Sequence, residues 1–479
     1  MGKLKRLAGE TVLYGLGSIL PRFLNFLLVY LHTSVFGALA YGIFTLLFAW
    51  VAVFNVIFSF GMETTYFRFA NKPGANEKQV FNVTQTVVVA ISGFFSILFL
   101  FNLDNIVTAL DIGGQRHVVI YIVILMFIDN IVSIPFARLR YKQQPIRFAV
   151  YKITNIVLLV GLNVYLLLFA GLEPEVGFIF LANLIANAFY ILFFIPSLTS
   201  WRPAYDKQIS PQVLKYSYPI MLTGIAGMMN ENLSRITLER WLPENFYKDS
   251  KAALGIFGAN YKFAVLMNLA IQAFRYAAEP FFFAQSSEKN SPQLFARINH
   301  YFVVVCCFIL LAVSINLDVL KYFLGQPEYW SGLHIVPILL LAYLFLGIYY
   351  NYSVWFKVTD KTHWGTIITI VGLVITIGGN YILIPMLGYL GSAYAALACY
   401  LVMMMLCYVV GQRYFPVPYT IFKDFGYIVV TTLLVYLVYR LDGVINESQL
   451  IETVFHLAVL GLFVAIVVLI ERKEFRKQA

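Results

Sequence analysis

Long apolar runs alternate with short polar breaks along the whole chain. Runs of membrane length fall at about 10–34, 41–67, 80–101, 117–137, 148–170 and 176–198. A more polar stretch, Thr199 to Lys215, interrupts them, and eight further runs lie near 212–240, 253–284, 295–316, 332–356, 364–384, 388–410, 421–440 and 449–470. About 20 helical residues cross a hydrocarbon layer of roughly 30 Å. Inside lipid, a helix satisfies its backbone hydrogen bonds within its own segment. The pattern therefore predicts an all-α polytopic membrane protein with about fourteen transmembrane helices.

The distribution of basic residues tests that count, because cytoplasmic loops carry an excess of Lys and Arg. One set of alternate loops holds about 24 of them, among them Lys3, Lys5, Arg6, Arg68, Arg138, Arg140, Lys152, Arg202, Lys357, Arg413 and Arg472. The opposite set holds about five: Arg116, Lys248, Lys251, Lys321 and Arg440. One missed or invented helix would scramble this alternation beyond the error. The pattern places both termini in the cytoplasm. The basic start MGKLKRL precedes an apolar run too long for a signal peptide and without a small-residue cleavage site, so it reads as a retained first span.

Composition excludes the main alternatives. Of 479 residues, 60% are hydrophobic and only 12% charged, with a mean hydropathy of +0.77; soluble domains carry about twice that share of charge. The net charge of +10 is scattered in loop clusters rather than gathered on one face, which argues against a nucleic-acid partner. Cys306, Cys307, Cys399 and Cys407 all fall in apolar spans, with no zinc-like or disulfide spacing. No metal or cofactor is expected.

The chain also reads as internally doubled. Ala40-Tyr41-Gly42-Ile43-Phe44 after the first span matches Ala253-Leu254-Gly255-Ile256-Phe257 after the seventh, and an arginine, Arg22 or Arg235, stands twenty positions before each glycine. The doubling implies an N-terminal six-helix lobe over 1–198, a cytoplasmic linker over 199–215, a C-terminal six-helix lobe over 216–411, and two added helices with a tail over 412–479. The interface between such lobes is where transporters place their substrate.

A charge near the bilayer centre costs about 2.5–3.5 kcal/mol on insertion scales, and those retained face a bundle interior or a wet cavity. Residues three or four apart share a helix face. Span one carries Ser18, Arg22 and Asn25 on one stripe, span seven Glu231, Arg235 and Glu239, and span eight Asn268, Gln272, Arg275 and Glu279. Arg22, Arg235, Arg275 and Lys262 are the candidate binding cations, with Ser18, Asn25, Asn268, Gln272, Glu231 and Glu279 as cavity polar groups. Arginine suits an anionic ligand because its planar fork matches phosphate oxygens bidentately and stays charged. Each has a structural alternative: an intrahelical ion ladder for Arg235 and for Arg275, and snorkelling to the interface for Lys262. Asp129, in span four, reads either as a coupling-ion site or as a satisfied polar contact.

The start LKRLAGETVLYGLGSILPRFLNFLLVYLHTSVFGALAYGIF, the eighth span GIFGANYKFAVLMNLAIQAFRYAAEPFFF and the segment NYILIPMLGYLGSAYAALACY resemble bacterial oligosaccharide flippases of the Wzx type. These are members of the multidrug, oligosaccharidyl-lipid and polysaccharide exporter superfamily. The resemblance implies two six-helix lobes in a V with two additional C-terminal helices, in the bacterial cytoplasmic (inner) membrane. It also implies the cargo, an undecaprenyl-diphosphate-linked oligosaccharide moved from the cytoplasmic to the periplasmic leaflet by ion-coupled alternating access, as in O-antigen and lipopolysaccharide assembly. The implied partners are that polyprenyl-diphosphate-linked glycan, membrane lipid and other polysaccharide assembly proteins. Arg22 and Arg275 match positions where such flippases, and lipid II flippases, keep cavity cations for the diphosphate; Arg235 is a fainter match.

A lipid II flippase is the nearest alternative. A cation-coupled multidrug exporter shares the fold but would favour an acidic and aromatic cavity. A membrane-embedded polysaccharide-processing enzyme would place reactive residues in a sizeable outer loop, whereas the outer loops run to no more than about 15 residues. The sequence shows no nucleotide-binding glycine loop or nucleophile elbow, so the expectation is a non-enzymatic transporter.

Overall fold

The computed structural model describes residues 20–247, 249–285, 290–445 and 449–476. These residues form two compact units, Met1–Gly255 and Ile256–Ala479. The first contains α1 (residues 20–35), α2 (Ala38–Ser59), α3 (Met62–Ala70), α4 (Glu77–Phe101), α5 (Leu103–Leu110), α6 (Arg116–Tyr141), α7 (Pro145–Val164), α8 (Val176–Ser200) and α9 (Ile209–Trp241). The helix α10 (Ser250–Gln285) begins here. The second unit continues with α11 (Ser291–Ile315), α12 (Leu317–Leu320), α13 (Val336–Tyr352), α14 (Val354–Val358), α15 (His363–Leu387), α16 (Tyr389–Tyr414), α17 (Ile421–Ile445) and α18 (Gln449–Arg476).

Local chemistry sets the boundaries. The Asn76 side chain accepts from the Gln79 amide at 3.3 Å and opens α4. Pro145 occupies the first turn of α7, where its missing N–H costs nothing. Asp206 accepts from the Ile209 and Gln208 amides, both at 2.8 Å, ahead of α9. Those backbone donors hold its carboxyl below the usual range. A single span covers α2 and α3, broken at Phe60 and Gly61, which take φ of 50° and 66°. The turn from α15 to α16 passes through Gly388 at φ 63°, a conformation that glycine adopts without Cβ strain.

Among the described residues, twelve helices are long and apolar enough to cross a membrane, and the protein is a multi-pass membrane protein. The two further expected spans coincide with α1, described over 16 residues, and α9. The latter has 33 residues and so spans about 50 Å, but it carries Lys215, Glu231, Arg235, Glu239 and Arg240 and is less apolar than the twelve.

In the first unit α6 lies against α4 and α8, α7 packs on α8, and α2 on α9. Phe136 of α6 anchors this core, edge-on to Phe148, Tyr190 and Phe194 at centroid distances of 5.6, 4.9 and 4.7 Å. In the second unit α16 lies against α13 and α15, while α11 lies against α13, α17 and α18. Buried hydroxyls are satisfied locally: Thr45, Thr84 and Ser92 each donate to the carbonyl four residues earlier. Such back-bonding lets polar residues sit in lipid-facing or core helices without an orphaned donor.

Candidate functional site

Arg22 and Asn25 are three residues apart on α1, both exposed, so they share one face. Ser18 lies outside the described residues.

Asp129 is the terminus of a hydrogen-bonded string across three helices. Asn155 of α7 donates to the Asn187 side-chain oxygen at 2.7 Å, and Asn187 of α8 donates to Asp129 Oδ1 of α6 at 2.7 Å. Lys152 of α7 interacts electrostatically with this carboxylate and with Arg22. Its ammonium lies 4.2 Å from the Phe136 ring centroid and 4.9 Å from that of Tyr190. In the sequence Lys152 counts with the loop charges; the structure puts it in the third turn of α7, among aromatic rings. Neighbouring Asn130 donates to Asn55 at 2.6 Å and to the Met126 carbonyl at 2.7 Å. The carboxylate is thus hydrogen-bonded and within electrostatic reach of a cation, an arrangement that can hold or exchange a small cation or a proton.

On α9, Arg235 is half-buried and donates to the Asn232 side chain at 2.8 Å. It also interacts electrostatically with buried Tyr41 of α2. Glu231 is half-buried on the same face, and Glu239 lies 3.8 Å from Arg240. Arg240 also lines an apolar cavity of about 210 Å³ in this unit, walled by Trp50, Phe54, Phe99, Val123 and Met126 among others.

The stripe on α10 lies in the second unit. Gln272 donates to Asn268 at 3.4 Å, and both are half-buried. The Arg275 guanidinium stands over the Tyr350 ring of α13, 4.0 Å from its centroid. Lys262 is half-buried on the same helix. Glu279 lies in α10, but its side chain is outside the described residues. Among the described residues, no group of three or more His, Cys, Asp or Glu is placed to hold a metal ion.

Sequence reasoning missed Lys152, Asn155, Asn187 and Tyr350 as parts of these arrangements. The two asparagines and the lysine carry no local pattern, being 3 and 32 positions apart on separate or overlapping turns. Tyr350 stands in an aromatic run with Tyr349, Tyr352, Trp355 and Phe356, which by itself does not single it out as a partner of Arg275.

Comparison with solved structures decides the fold. The lipid II flippase MurJ in an inward-closed conformation superposes with a TM-score of 0.71 at 13% identity, covering 95% of this chain and 99% of that one. The fold is that of the MOP superfamily. An inward-facing multidrug-resistance MATE transporter of that superfamily gives a TM-score of 0.66 at 14% identity, over 84% of this chain and 97% of its own. A MATE transporter of Vibrio cholerae gives 0.62 at 16% identity, over 85% and 96%. These MOP proteins are transporters and flippases rather than enzymes. No family model and no curated protein sequence matches the chain.

Proposed function

We propose that the chain is a flippase. Its cargo in this reading is an undecaprenyl-diphosphate-linked oligosaccharide, carried from the cytoplasmic to the periplasmic leaflet by alternating access in the bacterial inner membrane, with both termini cytoplasmic. The observation that carries the reading is length. The likeness to MurJ runs over 95% of the chain, whereas the MATE transporters leave 15–16% uncovered. The expected two added helices and tail, residues 412–479, are 68 of 479 residues and so account for a share of that size. A lipid cargo gives such helices a purpose, since a polyprenyl tail needs apolar surface beside the polar path.

Arg22, Arg235, Arg275 and Lys262 take the diphosphate in this proposal, with Ser18, Asn25, Asn268, Gln272, Glu231 and Glu279 as the polar wall. Stacking on Tyr350 fixes the plane of the Arg275 guanidinium, and a planar fork grips phosphate oxygens bidentately. At an effective dielectric near 20, one charge pair at about 4 Å is worth roughly 4 kcal/mol before desolvation is subtracted. Two or three such pairs hold a diphosphate and still release it. Asp129, with Lys152 beside it, is the proposed coupling-ion site. The lobe boundaries at 198, 215 and 411 belong to the same proposal.

A second reading is a lipid II flippase, favoured by the printed function of MurJ; the diphosphate chemistry is the same. Leaflet-resolved transport of a fluorescent polyprenyl-diphosphate oligosaccharide in liposomes tests the proposal. The parent is expected to transport it, and Arg22→Ala and Arg275→Ala to lose most of that activity. Transport of lipid II alone supports the second reading. Failure of the folded parent to move either cargo overturns both, and unchanged rates in both variants remove the arginines from the mechanism.

A further inference from the structure

Two buried histidines in the second unit share one unusual surrounding. His300 of α11 meets the Asp424 carboxylate of α17 through Nδ1 at 2.5 Å, and Glu471 of α18 through Nε2 at 3.2 Å. The imidazole and both carboxylates are 5–6% exposed. Away from this cluster, His456 of α18 is 1% exposed and meets Asp442 of α17 through Nε2 at 3.0 Å, and Asp318 of α12 through Nδ1 at 3.7 Å. Each cluster is one imidazole flanked at both ring nitrogens by carboxylates, and each joins the α11–α12 segment to α17 and α18.

The spacing along the helices places the clusters near opposite membrane faces. Asp424 and Asp442 are separated by about 27 Å of helical rise, and His456 and Glu471 by about 22 Å, against a hydrocarbon layer of roughly 30 Å. The positive-inside pattern assigns the His300 end to the cytoplasm.

The chemistry of the imidazole decides what such a site binds. A neutral imidazole has one N–H donor and one lone pair, while the imidazolium has two donors. Flanked by carboxylates at both nitrogens, the neutral ring points its lone pair at an acceptor. The protonated ring serves both. Each ring makes one close carboxylate contact, His300 Nδ1 to Asp424 and His456 Nε2 to Asp442, and its other nitrogen faces a second carboxylate, Glu471 at 3.2 Å or Asp318 at 3.7 Å. Around His300, Lys423 lies 3.0 Å from Glu471, Tyr427 donates to Glu471 at 2.7 Å, and Thr420 and Asn299 donate to Asp424 at 3.1 and 3.3 Å. From α13, Asn351 donates to Asn299 at 3.2 Å, and Tyr352 interacts electrostatically with Asp424; Arg297 and Arg472 on α11 and α18 are exposed. The count over His300, Asp424, Glu471 and Lys423 is neutral with the ring protonated and one negative without it. At the other end, Glu452 lies one turn before His456 on α18, and Arg440 of α17 is engaged with the Tyr436 hydroxyl. There Nδ1 of His456 and both oxygens of Asp318 are buried without a hydrogen-bond partner.

We propose that His300–Asp424–Glu471 and His456–Asp442–Asp318 are two proton-binding sites, one near each membrane face. Their occupancy fixes the α17–α18 hairpin to the α11–α12 segment. With both rings protonated, each imidazolium bridges two carboxylates and the hairpin is held at both ends. Loss of a proton leaves excess negative charge around a buried ring and loosens that end, most strongly at His300, where both carboxylates are 6% exposed, against 28% and 22% for Asp442 and Asp318. The inference concerns the hairpin alone and holds whatever the cargo.

The test uses the full chain in lipid nanodiscs, with nitrogen-15-labelled histidine followed by nuclear magnetic resonance between about pH 5 and pH 9. His300→Gln and His456→Gln assign the two signals. Both imidazoles are expected to titrate in the parent, with tenfold weaker proton binding at His300 in Glu471→Gln and at His456 in Asp442→Asn. Spin labels at exposed Val305 of α11 and Leu462 of α18, in a cysteine-free background, are expected to show a broader and longer distance distribution once the rings are neutral. Imidazole signals that stay constant over this range, or a label distance unchanged while they titrate, overturn the proposal. The parent spectra alone decide the first point if a variant fails to fold.

Discussion

Gly42 of α2 and Gly255 of α10 pack reciprocally, backbone against backbone. A Cβ on Gly42 would lie 1.8 Å from the Lys251 carbonyl oxygen, and one on Gly255 would lie 1.9 Å from the Ala38 carbonyl oxygen. Ala38 and Lys251 each precede their glycine by one helical turn, so the contact has local two-fold symmetry. The two copies of the short sequence repeat thus meet at their glycines. Small residues that let helix backbones touch are the main route to tight helix packing in membranes. The repeated glycine is explained by packing, whereas the arginine twenty positions before it is exposed in one copy, Arg22, and half-buried in the other, Arg235.

Gly42→Ala and Gly255→Ala are each expected to destabilise the protein by about 1–3 kcal/mol, the usual range for forcing carbon into a packed contact. The obstructing atoms are backbone carbonyls and cannot rotate away. Gly161→Ala, in α7 with nothing within 4 Å of its Cβ, is the control and is expected to keep or slightly raise stability. Thermal unfolding in detergent, followed by tryptophan fluorescence, reads all three. Equal melting temperatures across the set would refute the packing argument.

Asp129→Ala removes the acceptor that Asn187 donates to at 2.7 Å. A fully buried amide left unsatisfied costs about 1–3 kcal/mol, the half-buried Asn187 amide is expected to cost toward the low end of that range, and Lys152 loses its neighbouring charge. Asp129→Asn keeps an acceptor and is expected to cost less. The proposed ion coupling adds a separate expectation, that Asp129→Asn folds and binds cargo but transports at a rate independent of the proton or sodium gradient. Gradient dependence retained in that variant would remove Asp129 from coupling.

Tyr350→Leu takes the aromatic face from beneath Arg275, whereas Tyr350→Phe keeps it. Cation–π contacts are worth about 0.5–2 kcal/mol. Transport of the diphosphate-linked cargo is therefore expected to fall on the order of two- to thirtyfold in Tyr350→Leu and little in Tyr350→Phe. Equal loss in both would point to the hydroxyl instead.

Two carboxylates outside the spans give a pH dependence with a definite sign. The Ile209 and Gln208 amides hold Asp206 below its usual range, and a hydrogen bond from Lys251 does the same for Asp111. A carboxyl depressed in the folded chain contributes stability above its unfolded value, and that contribution is lost as pH falls through the folded value. Exchange of the amides that open α9, corrected for intrinsic rates, is expected to quicken on acidification. Asp206→Asn retains a capping oxygen and should abolish that difference. Asp111 is 86% exposed while Lys251 is 9% exposed, so solvent screening keeps the Asp111 contribution small.

The polar stripes were legible where helical spacing alone defined them: Arg22 with Asn25, and Asn268 with Gln272 and Arg275. What those residues touch was not. Arg275 rests on Tyr350, 75 positions away in sequence, and Asp129 takes its hydrogen bond from Asn187, 58 positions away. His300 sits three residues after Arg297 at the start of an apolar run, and nothing in the spacing along the chain ties it to Asp424 or Glu471. Lys152 read as a loop residue for the same reason: one charge near a span end carries no information about which way its helix is turned.

Hydropathy by itself determined that the chain crosses the membrane many times as helices, because transfer into lipid and internal backbone bonding are properties of each segment alone. The tertiary structure decided which polar groups meet. His300 and Asp424 are 124 positions apart, and only the rotation and packing of α11 against α17 and α18 turn both toward one buried point. Lipid makes each helix stable before it finds a partner, so the segments could be read singly, while the pairing of their charges depends on side-chain fit between helices distant in the chain.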